Sequence, residues 1–220
     1  MTTLTTSPMA PLLERLFAQA DEASPMNDPA FADMTADEHT RLMRSRTEYL
    51  DLYGRLKDYP LAVSRETGAL LYMLAHGASA KTIVEFGTSF GLSTLHLAAA
   101  LRENGGGRLI TTEFEPSKAA RARQNLIDGG VEDLVEIRQG DALQTLAIDL
   151  PDQIDFVLLD GTKALYPDVL ALLESRLRRG ALIVADNADY SPDYLGRVRS
   201  PMAGYLSVPF GEDVELSMKL

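Results

Sequence analysis

The stretch "VEFGTSFGLST", residues 84–94, decides how the chain is read. An apolar run ends in Glu85, Gly87 and Gly91 bracket Ser89, and an apolar segment follows. Taken literally, Gly87-Thr88-Ser89-Phe90-Gly91 fits G-x-S-x-G, the nucleophile elbow of hydrolases. Taken loosely, it is a glycine-rich turn between a strand and a helix, as in nucleotide-binding sites. The hydrolase order requires a histidine after the serine. Of His39, His76 and His96, only His96 follows, and it falls two turns inside the next helix. A nucleophilic Ser89 is therefore rejected.

A dinucleotide fingerprint would read G-x-G-x-x-G, with its middle glycine letting backbone approach a pyrophosphate. Here Ser89 takes that place. The turn better suits a ligand with an adenosine and an amino-acid end but no pyrophosphate, and S-adenosylmethionine (SAM) is one. Glu113 ends the next strand about 20 residues on, where an acidic side chain accepts from ribose hydroxyls. It supports adenosine binding without choosing the cofactor.

Outward from this turn, short apolar runs alternate with helical patterns. Strands are predicted at 82–86, 108–112, 135–138, 156–159 and 182–185, and helices at 92–101, 116–128, 142–148 and 167–178. The alternation implies right-handed βαβ units and a parallel sheet. Residues 205–208 and 214–219 read as strands joined by "PFGED" with no helix between, hence an antiparallel hairpin. Upstream, helices are predicted at 11–20, 35–57 and 64–76. Thr35 and Glu38 have capping-box spacing at the start of the second, and "DEASPMNDPAFADM" breaks the chain before it. The expected fold is α/β: a doubly wound, Rossmann-like, seven-stranded, mostly parallel sheet with a C-terminal antiparallel hairpin, plus N-terminal helices. The expected division is an N-terminal helical extension (residues 1–60, a lid or dimer contact) and a main domain (residues 61–220).

Composition narrows the function. The formal net charge of −11 argues against nonspecific binding to nucleic acid or anionic membrane. The absence of cysteine removes disulfides, thiolate metal sites and cysteine nucleophiles. No run approaches the ~20 apolar residues of a membrane span, and the N-terminus lacks signal-peptide character. A cytoplasmic protein is expected.

In a doubly wound sheet, ligands bind at the carboxyl ends of the strands. The fourth strand ends in Asp160, with Lys163 three residues on, and the fifth in Asp186-Asn187. Two carboxylates and a carboxamide are oxygen ligands, which suit a hard cation, Mg²⁺ first. Singly, Asp160 reads as a turn cap and Asp186-Asn187 as an Asx-turn; together they read as a metal site. A lysine there, partly desolvated beside a cation, is expected to have a lowered pKa, as a general base needs. Asp141 follows the third strand, where it either faces an adenine amino group or caps a helix.

Together, "VEFGTSFGLST", "ITTEFEPSKAARARQNL", "RQGDAL", "FVLLDGTKALYPD" and "ADNADY" resemble the cation-dependent O-methyltransferases, the catechol and caffeoyl-CoA type of SAM-dependent class I methyltransferase. The resemblance covers residues 61–187 and extends more weakly to 220. It implies that Glu85, Gly87, Thr88 and Ser93 hold the amino-acid end of SAM, with a backbone contact from Val63. Glu113 would bind the ribose, Phe114 would lie against the adenine, and Asp141 and Ala142 would border it. Asp160, Asp186 and Asn187 match the metal ligands, Asp160 also bordering the cofactor, and Lys163 matches the base. The implied reaction moves a methyl group from SAM to a metal-bound hydroxyl of a small aromatic acceptor, leaving S-adenosylhomocysteine (SAH). A homodimer is expected, and nucleic acid is not an expected partner. The chain departs from the family at Gly161 and Thr162, where bulkier or acidic residues are usual, and a roomier floor beside the adenine is expected. The alternatives are a tRNA hydroxyuridine methyltransferase, a SAM- or nucleotide-binding protein without catalysis, and an NAD-linked oxidoreductase.

Overall fold

The computed structural model describes residues 2–23, 25, 31, 34–211 and 213–220. Most of the break predicted over residues 21–34, and Glu212 of the C-terminal turn, lie outside the described residues. The elements run α1 (Met9–Glu22), α2 (Ala36–Met43), α3 (Tyr49–Arg55), α4 (Arg65–Gly77), β1 (Thr82–Phe86), α5 (Leu92–Glu103), β2 (Arg108–Glu113), α6 (Pro116–Gly129) and β3 (Val135–Gln139). They continue with α7 (Ala142–Thr145), β4 (Ile154–Leu159), α8 (Tyr166–Leu173), β5 (Leu177–Ala185), α9 (Pro192–Val198), β6 (Tyr205–Phe210) and β7 (Val214–Lys219).

The sheet has seven strands in the order β3-β2-β1-β4-β5-β7-β6. The first five are parallel, and β7 runs antiparallel to both β5 and β6. This is the doubly wound sheet with a terminal hairpin that the alternation predicts. Its order reverses between β1 and β4, the switch point where such sheets bind ligands. Both faces are covered, so β4 ends in an unbroken apolar run over residues 156–159 and β1 carries the apolar pair Ile83-Val84. One buried cluster joins α1, α4 and α5 to the sheet, and the other joins α8 and α9 to it.

Hydrogen bonding continues one residue past several strand ends. Asp160 N–H donates to Phe86 O at 2.8 Å and Asp186 N–H to Leu159 O at 2.9 Å. Each carboxylate is thus set by the ladder, directly beyond the sheet edge.

Several predicted boundaries differ from the structure, two helices most of all. The single helix expected over 35–57 is two helices, α2 and α3. Between them Ser45 Oγ accepts from the N–H groups of Thr47 and Glu48 at 3.3 and 3.0 Å, a local alternative to helical bonding. Arg44 there donates to Asp189 O at 3.1 Å, and Arg46 pairs with Asp168 at 2.7 Å. The helix expected over 167–178 ends at Leu173, and β5 begins at Leu177. Arg178, expected to be helical, instead pairs with Asp155 across the sheet at 2.5 Å. The capping box at Thr35 forms as predicted.

Candidate active site

The opening turn folds around two left-handed residues besides Gly91. Gly87 has φ +105° and Ser89 φ +48°. A Cβ at Gly87 would lie 2.6 Å from the Asp160 carbonyl oxygen, so this position requires glycine. Ser89 tolerates its conformation because both its polar groups are used. Its N–H donates to Glu113 Oε2 at 2.8 Å, and its Oγ accepts from Leu61 N–H at 3.2 Å. No histidine reaches it: His96 is buried in α5 with Nδ1 on Leu92 O.

A cavity of about 330 Å³ opens at the switch point. Six of the residues expected at a SAM site line it: Gly87, Glu113, Phe114, Asp141, Ala142 and Asp160. Glu113 also accepts from Glu115 N–H at 2.9 Å. Burial raises its pKa despite these bonds and the nearby Lys118. Asp141 caps α7, accepting from Leu143 N–H at 2.9 Å, which is the second of its two sequence readings.

Val63, Glu85, Thr88 and Ser93 lie elsewhere. All four are buried, and none lines this cavity. The Ser93 and Thr94 hydroxyls each donate to Glu85 at 2.6 Å. Burial is the main influence on Glu85 and pushes its pKa up to about 7. The Thr88 hydroxyl is taken up by Thr111 and Thr112 O.

The floor at Gly161 is not roomier. The Phe86 ring fills the space, and a Cβ at Gly161 would lie 2.5 Å from it. The small residue at 161 is matched by a large one on β1.

A second cavity, about 280 Å³, lies on the other side of Asp160. Lys163, Asp186 and Asn187 line it, facing Phe31, Met34, His39 and Met43 from the N-terminal region. Tyr53, Leu61 and Asp160 border both cavities. Burial, and then the charge of Asp160, push the Asp186 carboxyl up to about 7. Asn187 takes φ +46°, and its Nδ2 donates to Asp213 at 2.8 Å, which leaves Oδ1 available as an oxygen donor. Among the described residues no three His, Asp or Glu side chains group as a metal site. The set here is two carboxylates and a carboxamide. Two neighbouring carboxylates, one resisting ionisation through burial and the charge of the other, fit a hard divalent cation.

Lys163 corrects one expectation. It is buried, with Nζ 2.8 Å from Asp160 Oδ1. Burial alone would lower its pKa, but Asp160, followed by Tyr166, Asp186 and Tyr53, outweighs it and holds the ammonium well above the ordinary lysine range. Desolvation does not lower the pKa here, because the nearest neighbour is an anion; the lowering is expected beside a cation.

Sequence reasoning missed Tyr53, Leu61 and Lys118 on the cavity walls. Tyr53 and Leu61 reach the site from before β1, where no strand-end pattern marks them. Lys118 sits in the first turn of α6, where a lysine reads as a solvent-facing residue.

The "Methyltransferase domain" family matches residues 84–188. The catechol O-methyltransferase of Niastella koreensis is 38% identical over 130 residues, 58% of this chain and 58% of its own length. The chain thus spans little more than half of that relative. The catechol O-methyltransferase of Sus scrofa is 32% identical over 152 residues, 65% of this chain and 80% of its own. The O-methyltransferase TomG of Streptomyces achromogenes, involved in tomaymycin synthesis and solved in complex with SAM, is 27% identical. It superimposes with a TM-score of 0.64, covering 91% of this chain and 98% of its own. With the sheet order, the switch-point cavity and these similarities in agreement, the chain belongs to the SAM-dependent class I O-methyltransferases.

Proposed function

We propose that this protein moves the methyl group of SAM to a hydroxyl oxygen of a small aromatic acceptor of the catechol type, assisted by a divalent cation. The observation that carries this reading is that the two cavities meet at Asp160, with the oxygen donors on the second side. The first cavity holds SAM, with Glu113 on the ribose, Phe114 against the adenine and Asp141 and Ala142 at its border. The second holds the acceptor.

Asp160, Asp186 and Asn187 would hold the cation, Mg²⁺ first, which supplies Lewis acidity and lowers the acceptor's hydroxyl pKa. The chain orients the two substrates so that an acceptor oxygen faces the methyl carbon. The O–C bond forms as the S–C bond breaks, the sulfonium becomes the thioether of SAH, and the hydroxyl proton passes to Lys163. Lys163 is free to take that proton once the charge of Asp160 is offset.

The wall of the second cavity supports a compact, uncharged acceptor. Among its described residues Lys163 is the one cation, and it is already paired. Methionines there adapt to irregular apolar groups. Residues 1–60 supply much of this wall, and we assign them as a lid. Residues 61–220 form the catalytic domain in this reading.

The test is a methyl-transfer assay with radiolabelled SAM over catechols, hydroxycinnamoyl thioesters and other hydroxylated aromatics, with and without EDTA. Transfer to catechols that stops with EDTA and returns with excess Mg²⁺ is the expected result. No transfer to any of these acceptors would overturn the reading.

A further inference from the structure

Lys118 is the third residue of α6, yet it is only 4% exposed. Its side chain lines the first cavity beside Glu113 and Phe114. Among the described residues its ammonium makes no hydrogen bond and no ion pair. Its Nζ lies 5.8 Å from the centroid of the Phe90 ring, and the charges of Glu113, Glu115, Asp160 and Asp58 act on it without accepting a hydrogen bond from it. An ammonium on so buried a side chain reaches little water and gains from a hydrogen-bond acceptor. The missing acceptor is therefore to be sought in the cavity that Lys118 lines.

Glu113 indicates which acceptor. Its carboxylate already takes the N–H groups of Ser89 and Glu115, and only acceptor capacity remains. A ribose hydroxyl that donates to Glu113 still has lone pairs on its oxygen, and those need a donor. We propose that Lys118 is a second ribose-recognition residue, its ammonium donating to a hydroxyl oxygen of the same ribose that Glu113 binds. A carboxylate and an ammonium then read the diol from its two sides. This rests on the reading of the first cavity as the SAM site.

Calorimetry with SAH, 5′-methylthioadenosine and the 2′- and 3′-deoxy forms of the latter tests it, on the wild type and Lys118→Met. Methylthioadenosine carries the ribose but no amino-acid end. The variant is expected to bind SAH and methylthioadenosine at least tenfold more weakly, the size of a hydrogen bond to a charged group. Removing the contacted hydroxyl should then cost the variant less than it costs the wild type, by a similar factor. Should Lys118→Met not fold, Lys118→Leu, which also removes the donor, serves the same comparison. Three results would each overturn the proposal. They are SAH affinity within twofold of wild type, equal deoxy penalties in both proteins, and a loss confined to SAH, which would place Lys118 at the amino-acid end. A wild-type protein that binds no SAH would instead overturn the cofactor reading beneath it.

Discussion

Asp160 and Lys163 form an ion pair of 2.8 Å whose side chains are only 14% and 4% exposed. Both residues line the second cavity, Asp160 also bordering the first, and the carboxylate of Asp186 is beside the pair. Replacing Lys163 by methionine should therefore do two separable things. It removes the group assigned to receive the proton, so kcat should fall by about 10²–10⁴, with SAH affinity within threefold. It also leaves two buried carboxylates without a cation, which is strongly destabilising. Added Mg²⁺ should then raise the melting temperature of Lys163→Met more than that of the wild type. Steady-state kinetics and thermal melts with and without MgCl₂ decide both, and a kcat within tenfold of wild type refutes the assigned role.

Glu85 makes stability depend on pH. Its carboxyl is fully buried, and burial moves its pKa from 4.5 to about 7 despite the hydroxyls of Ser93, Thr111 and Thr94. Between those values the folded protein keeps a proton that the unfolded chain has released. The stabilisation is whole below about pH 4.5 and is lost as pH rises through about 7. Its size is on the order of 3 kcal/mol. Asp186 titrates over a similar range, so the comparison must isolate Glu85. Urea unfolding of the wild type and Glu85→Gln at pH 5 and pH 8 does so. The variant should gain on the wild type at pH 8, and a pH-independent difference would show that Glu85 is not the source.

Gly161 and Phe86 are expected to behave as one unit. Gly161→Ala drives a methyl into the Phe86 ring at 2.5 Å. Overpacking of this kind costs about 1–3 kcal/mol. Phe86→Leu opens the space, so the double variant should be less destabilised than the sum of the single variants by about 1 kcal/mol or more. Denaturant unfolding of the four proteins measures this coupling. Strict additivity would mean that the ring does not set the small residue at 161.

These cases show where sequence was informative. Buried parallel strands have apolar runs that end abruptly, so Asp160 and Asp186-Asn187 stand out as the first polar residues past β4 and β5, and Glu113 as the acidic last residue of β2. Phe86 belongs to such a run, and nothing in its spacing tells that its ring fills the space at Gly161. Ser93 was legible as a polar residue at a helix start, but its donation to Glu85 depends on how β1 packs on α5. The break between α2 and α3 depends on contacts far along the chain: Arg46 and Asp168 are 122 residues apart. Lys118 stayed hidden because a lysine near a helix start ordinarily faces water.

The N-terminal region offers the last test. His39 on α2 packs edge-on against Tyr190, with ring centroids 5.5 Å apart and the Tyr190 hydroxyl 3.3 Å from Nδ1. Arg44, just after α2, donates to Asp189 O at 3.1 Å. These exposed contacts tie α2 to the segment that follows Asn187, across the mouth of the second cavity. Interactions at such exposed positions contribute at most about 1 kcal/mol each, so they can hold a lid that still opens. Removing both with Arg44→Ala and Tyr190→Phe should raise the acceptor KM about fivefold, the equivalent of about 1 kcal/mol. SAH affinity should stay within twofold, because α2 borders only the second cavity. Acceptor kinetics at saturating SAM, with SAH calorimetry beside them, measure the two effects separately. An unchanged acceptor KM would mean that α2 merely packs on the domain, and equal losses for both ligands would mean that it supports the whole site and does not act as a lid.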